Sequence, residues 1–96
     1  MNYTFHPHAE RELEEIENHY DSIREGLGDQ FRDEVQVTIS RIQQFPNGCQ
    51  ALSANVRRCT MKRFPYCIVY YVTPNVVFVV AVTHDRREPD YWTYRI

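Results

Sequence analysis

Ala9, Leu13, Ile16, Tyr20 and Ile23 recur at steps of four, three, four and three, which aligns them on one helical stripe while Glu10, Arg11, Glu12, Glu14, Glu15 and Glu17 cover the rest. This pattern predicts an amphipathic helix. Pro7 suits its first turn, where a missing N–H costs nothing; His6 is a mediocre cap, and the glutamates near the start complement the helix dipole. Gly26-Leu27-Gly28 then breaks the pattern, because two glycines in three residues favour a tight turn and one can take the left-handed conformation that closes a helix. A second stripe follows at Phe31, Val35, Thr38, Ile39, Ile42 and Phe45, ended by Pro46-Asn47-Gly48. So short a connection predicts an antiparallel helical hairpin.

Beyond a loop from Cys49 to Asn55 the texture changes. Val56–Phe64, Tyr66–Thr73 and Val76–Thr83 read as strands, with Pro65 and Pro74-Asn75 at the reversals. The last, VVFVVAV, does not alternate, which predicts burial on both faces, by the helices on one side and by something else on the other. Tyr3, Thr4 and Phe5 alternate ahead of Pro7 as a short first strand. The expected fold is a single α+β domain over residues 1–96: a short N-terminal strand, an antiparallel helical hairpin and a three-stranded antiparallel meander.

Composition fits that expectation. A chain of 96 residues with 43% hydrophobic, 14% aromatic and 25% charged residues is a self-supporting globular domain with no room for a second. The longest apolar stretch, Val76–Val82, falls far short of the ~20 residues of a membrane helix, and the N-terminus lacks a signal pattern, so a soluble, cytoplasmic protein is expected. Cys49, Cys59 and Cys67 are odd in number and contain no C-x-x-C pair; they read as reduced thiols, and no metal or cofactor is expected. The net charge of −2 conceals an asymmetry. Residues 1–48 carry ten acidic against four basic side chains, and residues 49–96 carry three against seven. An anionic partner would therefore meet the second half, because only local potential within a Debye length of ~8–10 Å matters.

Two groups in that half have the chemistry for a site. Arg58, Thr60 and Lys62 alternate onto one strand face, opposite Cys59 and Met61, forming either a solvated face or a basic strip for phosphates. The segment His84–Arg95 combines Arg86 and Arg87 with Tyr91 and Trp92, groups able to neutralise phosphates and stack on bases, or equally to latch a tail onto a bare sheet face. For Tyr91 and Trp92 the latch is preferred. His84 reads as structural, since Asp85 alternates to the other face; His6 and His8 without a third ligand make a poor metal site. No phosphate loop, serine elbow or zinc-protease motif is present.

In order and spacing, these pieces resemble the RelE/ParE toxin superfamily over essentially the whole chain. The resemblance is carried by FHPHAEREL, by Gly26-Leu27-Gly28 with Phe31, by Val56-Arg57-Arg58, by Arg63-Phe64-Pro65-Tyr66 with Ile68, Tyr70 and Tyr71, and by Ala81 through Pro89 with Tyr91-Trp92. It implies a growth-arresting toxin of a type II toxin–antitoxin system, held inactive in a hetero-oligomer with a cognate antitoxin. Three functions follow from it: a ParE-like inhibitor of DNA gyrase, a RelE-like endoribonuclease cutting mRNA on the ribosome, or an inactive member that only binds its antitoxin.

The resemblance also implies how these differ. RNA-cutting members keep an arginine directly after the aromatic that starts the middle strand, where this chain has Cys67 after Tyr66. A thiol cannot supply a permanent positive charge to a phosphorane-like transition state, and losing one such contact costs on the order of 10²–10³ in rate. In a ribonuclease the remaining roles would fall to Arg58, Lys62, Arg86 and Tyr91. The gyrase-directed branch is therefore expected, with Arg58, Lys62, Arg86, Arg87, Tyr91 and Trp92 as the contact surface.

Overall fold

The computed structural model describes residues 1–96. A short strand β1 (Asn2–Phe5) leads into helices α1 (Pro7–Ile23) and α2 (Leu27–Gln44), followed by strands β2 (Gln50–Ala51), β3 (Val56–Thr60), β4 (Tyr66–Val72) and β5 (Val76–His84), and a final 3₁₀ turn at Thr93–Arg95. Pro7 opens α1, and the N-cap His6 accepts the His8 N–H through Nδ1 at 3.0 Å. Gly26 closes the hairpin turn in the left-handed region at φ 86°. The helices run antiparallel: Tyr20 packs on Phe31, Glu17 pairs with Arg32, and Asp21 accepts the Gly28 N–H at 2.8 Å. A side chain at Gly28 would collide with them, because its Cβ would lie 2.5 Å from the Glu17 carbonyl oxygen.

The predicted meander is present as β3–β4–β5, but it belongs to a five-stranded mixed sheet in the order β1-β5-β4-β3-β2. β1 runs parallel to β5, with Phe5 opposite Val79, and β2 arises inside the segment expected to be loop. The helices cover one face, here called the front. There Leu13, Phe31, Val35, Ile39 and Ile42 pack against Cys59, Ile68, Tyr70, Val77, Val79 and Val82. The back carries a smaller apolar cluster of Val56, Val69, Val80, Ala81 and Trp92.

A bulge explains how one strand serves both clusters without alternating. Val69 pairs with Ala81 but Tyr70 with Val79, so Val80 is an extra residue in β5. It turns the strand's parity: Val77 and Val79 face front, Val80 and Ala81 both face back, and Val82 faces front again. The uniform apolar run in the sequence is thus two patterns joined out of phase.

Some expected boundaries shift. The strand read as Val56–Phe64 ends at Thr60, because Pro65 has no N–H to continue a ladder and the chain turns across Lys62–Pro65. The strand read to Thr73 stops at Val72, and the last continues through His84. Ile23 and Phe45, the final residues of the two stripes, are exposed: Ile23 is the last residue of α1 and Phe45 lies one residue beyond α2.

Candidate functional site

The back of the sheet is closed by the chain's own C-terminal segment. Trp92 is 6% exposed and packs among Val56, Val69, Val80 and Ala81, the side chains that the bulge directs to this face. Beside it Tyr91 donates its hydroxyl to Glu12 Oε2 at 2.6 Å, and the Arg87 guanidinium lies 3.7 Å from the Tyr91 ring centre. Burial, then the bond to Glu12, pushes the Tyr91 phenol up to about 12, so it is a fixed donor near neutral pH.

Glu12 also completes the edge of β5. The ladder with β1 ends where the His6 N–H bonds the Val79 carbonyl, leaving the outer polar groups of β5 without a strand. Glu12 Oε1 accepts the Val82 N–H at 3.1 Å, and Arg95 donates to the Val80 carbonyl at 3.1 Å while pairing with Glu12 at 2.8 Å. One acceptor and one donor, joined by an ion pair, stand in for the missing strand. Burial opposes the charge on Arg95, but its bonds to Glu12 and Tyr94 outweigh that cost and leave the guanidinium above its ordinary value.

Between this latch and β3 lies a cleft of about 270 Å³, bordered by Arg58, Cys67, Thr83, Arg87, Tyr91 and Trp92 among others. Arg58 does not stand free there: it bonds Asp85 at 3.1 Å. Its guanidinium is held above its ordinary value first by the Cys67 thiol and, against a burial cost, by Asp85. Burial in turn pushes the Cys67 thiol up, so the group at this position is neutral. His84 packs on Tyr66 from the front and accepts the Arg86 N–H through Nδ1 at 3.0 Å, a structural role.

Of the six residues named from sequence, Arg58, Arg87, Tyr91 and Trp92 thus meet at one cleft. Arg86 is exposed on the turn after β5, and Lys62 lies beyond the end of β3, where it borders a different cavity near the end of α2. Trp92 is too buried to touch a partner unless the tail leaves the sheet. Two residues escaped notice: Glu12, one acid among many on a polar helix face, and Arg95, which reads as a solvated charge. Their separation by 83 residues left no local signal.

The sequence matches the family described as "ParE toxin of type II toxin-antitoxin system, parDE" over residues 3–89. The chain belongs to the ParE toxin family. Membership makes it the toxin half of a toxin–antitoxin pair, with a cognate antitoxin as its partner. A solved structure described as the chromosomal ParDE TA system from P. aeruginosa shares the fold, with a TM-score of 0.75 at 18% identity over 88% of this chain and 95% of that one. No curated protein sequence matches. The ParE match stops before Tyr91, so Trp92 and Arg95 lie outside it, whereas Glu12, their anchor, lies within. No helix of this ParE-family chain is long and apolar enough to cross a membrane.

Proposed function

We propose that this ParE-family toxin arrests growth by occluding DNA gyrase and not by cutting RNA. The observation that carries the reading is the pairing of Arg58 with Asp85 beside a buried, neutral Cys67. Phosphoryl transfer needs an uncompensated cation at the developing charge and a group free to move a proton. In the cleft the Arg58 charge is already balanced, the Tyr91 proton is committed to Glu12, and His84 Nδ1 holds a backbone N–H. What the second half offers instead is an exposed basic rim, Arg86 and Arg87 with Lys62 further along, suited to contact by area and charge. In this reading Arg86, Arg87 and Lys62 touch the target, while Arg58, Tyr91 and Trp92 hold the surface in shape.

Two assays with purified protein decide the matter. The toxin is expected to inhibit gyrase supercoiling while leaving ribosome-bound messenger intact in a translating extract. Codon-specific cleavage lost on Arg86→Ala would overturn the proposal in favour of an endoribonuclease. Inactivity in both assays would overturn it in favour of a member that only binds its antitoxin.

A further inference from the structure

On the other side of the molecule, where α2 ends, two of the three cysteines come together. β2 pairs antiparallel with β3, Gln50 opposite Arg58 and Ala51 opposite Arg57, and the same register carried one residue before β2 would set Cys49 opposite Cys59. The kind of pair matters. The Val56 carbonyl accepts the Leu52 and Ser53 N–H groups, so the polar groups of Val56 point toward β2, and by the two-residue period those of Arg58 do too. In that register Cys49 and Cys59 would fall at a non-hydrogen-bonded position, where opposed Cα atoms approach to about 4.5 Å, inside the range of roughly 4.4–6.8 Å that a disulfide spans. Both side chains lie on the front, Cys59 in the core and Cys49 packed against it.

The surroundings differ for the two thiols. Cys59 is 3% exposed; burial and then the neighbouring Cys49 thiol push it up to about 11, while Arg41, whose Nη2 lies 3.2 Å from Cys59 Sγ, works in the opposite direction. Cys49 is half-buried and opens onto a cavity of about 580 Å³, which is also bordered by Arg41, Lys62 and the Asp85-paired Arg58. Cys49 is therefore the thiol of the pair that a small oxidant in solution can reach. Cys67 cannot join: it sits opposite Thr60 in the ladder and faces the back.

We propose that Cys49 and Cys59 form a redox modification site, at which a hydroperoxide converts the dithiol to an intrachain disulfide and leaves Cys67 reduced. Cys49 Sγ attacks the outer peroxide oxygen, the O–O bond breaks, and the thiol proton passes to the departing oxygen, which leaves as an alcohol or water, giving Cys49 sulfenic acid. Cys59 Sγ, with the Arg41 Nη2 at 3.2 Å, then attacks the Cys49 sulfur. The S–O bond breaks, the hydroxyl leaves as water with the Cys59 proton, and the S–S bond extends the β2–β3 pairing by one covalent rung. Two electrons pass from the two thiols to the peroxide. A dithiol donor reverses the step by thiol–disulfide exchange.

The test exposes the folded, reduced protein to hydrogen peroxide, blocks the remaining thiols with an alkylating agent and maps the peptides without reduction. The expected product is lighter by two hydrogens and carries one Cys49–Cys59 link with Cys67 alkylated, and dithiothreitol restores the starting mass. Cys67→Ser should give the same link; Cys49→Ser should give none and leave Cys59 reduced. A link that involves Cys67, Cys49 oxidised to the sulfinic acid with Cys59 still a thiol, or no oxidation while a small exposed thiol in the same tube is consumed would each overturn the proposal. Loss of the Cys49–Cys59 ladder position by misfolding is controlled by Cys49→Ala, whose circular dichroism should match that of the parent.

Discussion

Arg95 donates to both carboxylate oxygens of Glu12, at 2.8 and 3.2 Å, although 83 residues of chain separate them. The two side chains are only 6% and 12% exposed, so removing one partner strands a charge away from water. Arg95→Ala should cost about 3 kcal/mol of stability, since breaking a buried pair commonly costs ~3–5 kcal/mol and Glu12 retains Tyr91 and the Val82 N–H. Urea unfolding of the two single variants Glu12→Gln and Arg95→Gln and of the double variant should show a coupling above ~1 kcal/mol. Additive effects would mean that the pair does not hold the tail.

Trp92 and Arg86 should separate stability from target contact. The single tryptophan of the chain is packed on the back of the sheet, so its fluorescence should be blue-shifted in the native state. Trp92→Ala should lower stability by about 3–5 kcal/mol, the usual cost of emptying so large a buried site. Arg86 is exposed, and Arg86→Ala should change stability by less than ~0.5 kcal/mol while weakening gyrase inhibition by about 1–3 kcal/mol. Equal losses of stability and inhibition in both variants would refute this division.

Alkaline pH should loosen the latch through Tyr91. Its phenol is raised from the ordinary 10.0 to about 12 by burial and by donation to the Glu12 carboxylate, so the folded state prefers the protonated form. The stabilisation is fully present below pH 10 and is lost as pH rises from 10 through about 12, because the unfolded chain ionises first. Tyr91→Phe should be less stable than the parent at pH 8 and should close that gap by pH 12. Parallel stability curves for the two proteins across this interval would show that Tyr91 does not contribute.

The antitoxin should rest on apolar side chains that the hairpin leaves uncovered. Val37 and Phe45 on or next to α2 are 58% and 66% exposed, and an amphipathic segment laid over them would bury both. Val37→Glu should weaken the complex by about 2 kcal/mol without lowering the melting temperature of the free toxin, as truncating an interface hot spot does. Calorimetric titration with the cognate antitoxin measures this, and unchanged affinity for both Val37→Glu and Phe45→Glu would place the antitoxin elsewhere.

The elements that were readable in advance are those whose signal is local. Stripes through Ala9–Tyr20 and Phe31–Ile42, the glycine turn and the proline reversals each lie within a few residues, and the helices and meander follow from them. What stayed hidden was pairing at a distance. Four residues of β1 specify a strand but not its parallel partner, and the bulge at Val80 leaves no mark in a run where every residue is apolar. At the site the same limit applies. Trp92 announces cover for a bare face because its size alone demands burial, whereas Arg58 reads as a free cation until the fold brings Asp85 to it, and Glu12 is indistinguishable from Glu14 or Glu15 until β5 lies beside it.

Closing the edge of β5 with a carboxylate and a guanidinium has a price in self-association. Strand edges with unpaired polar groups are templates for other chains, and most sheets blunt them with backbone, bulges or isolated charges. Here Val82 is guarded by Glu12 on α1 and Val80 by Arg95 on the tail, which a cut between Trp92 and Arg95 would detach. The Val80 carbonyl so uncovered lies in the most apolar strand of the protein, and its neighbours in a crowded solution are identical copies with the same gap. Loss of the tail should therefore favour contact between copies along this edge, which Arg95 blocks.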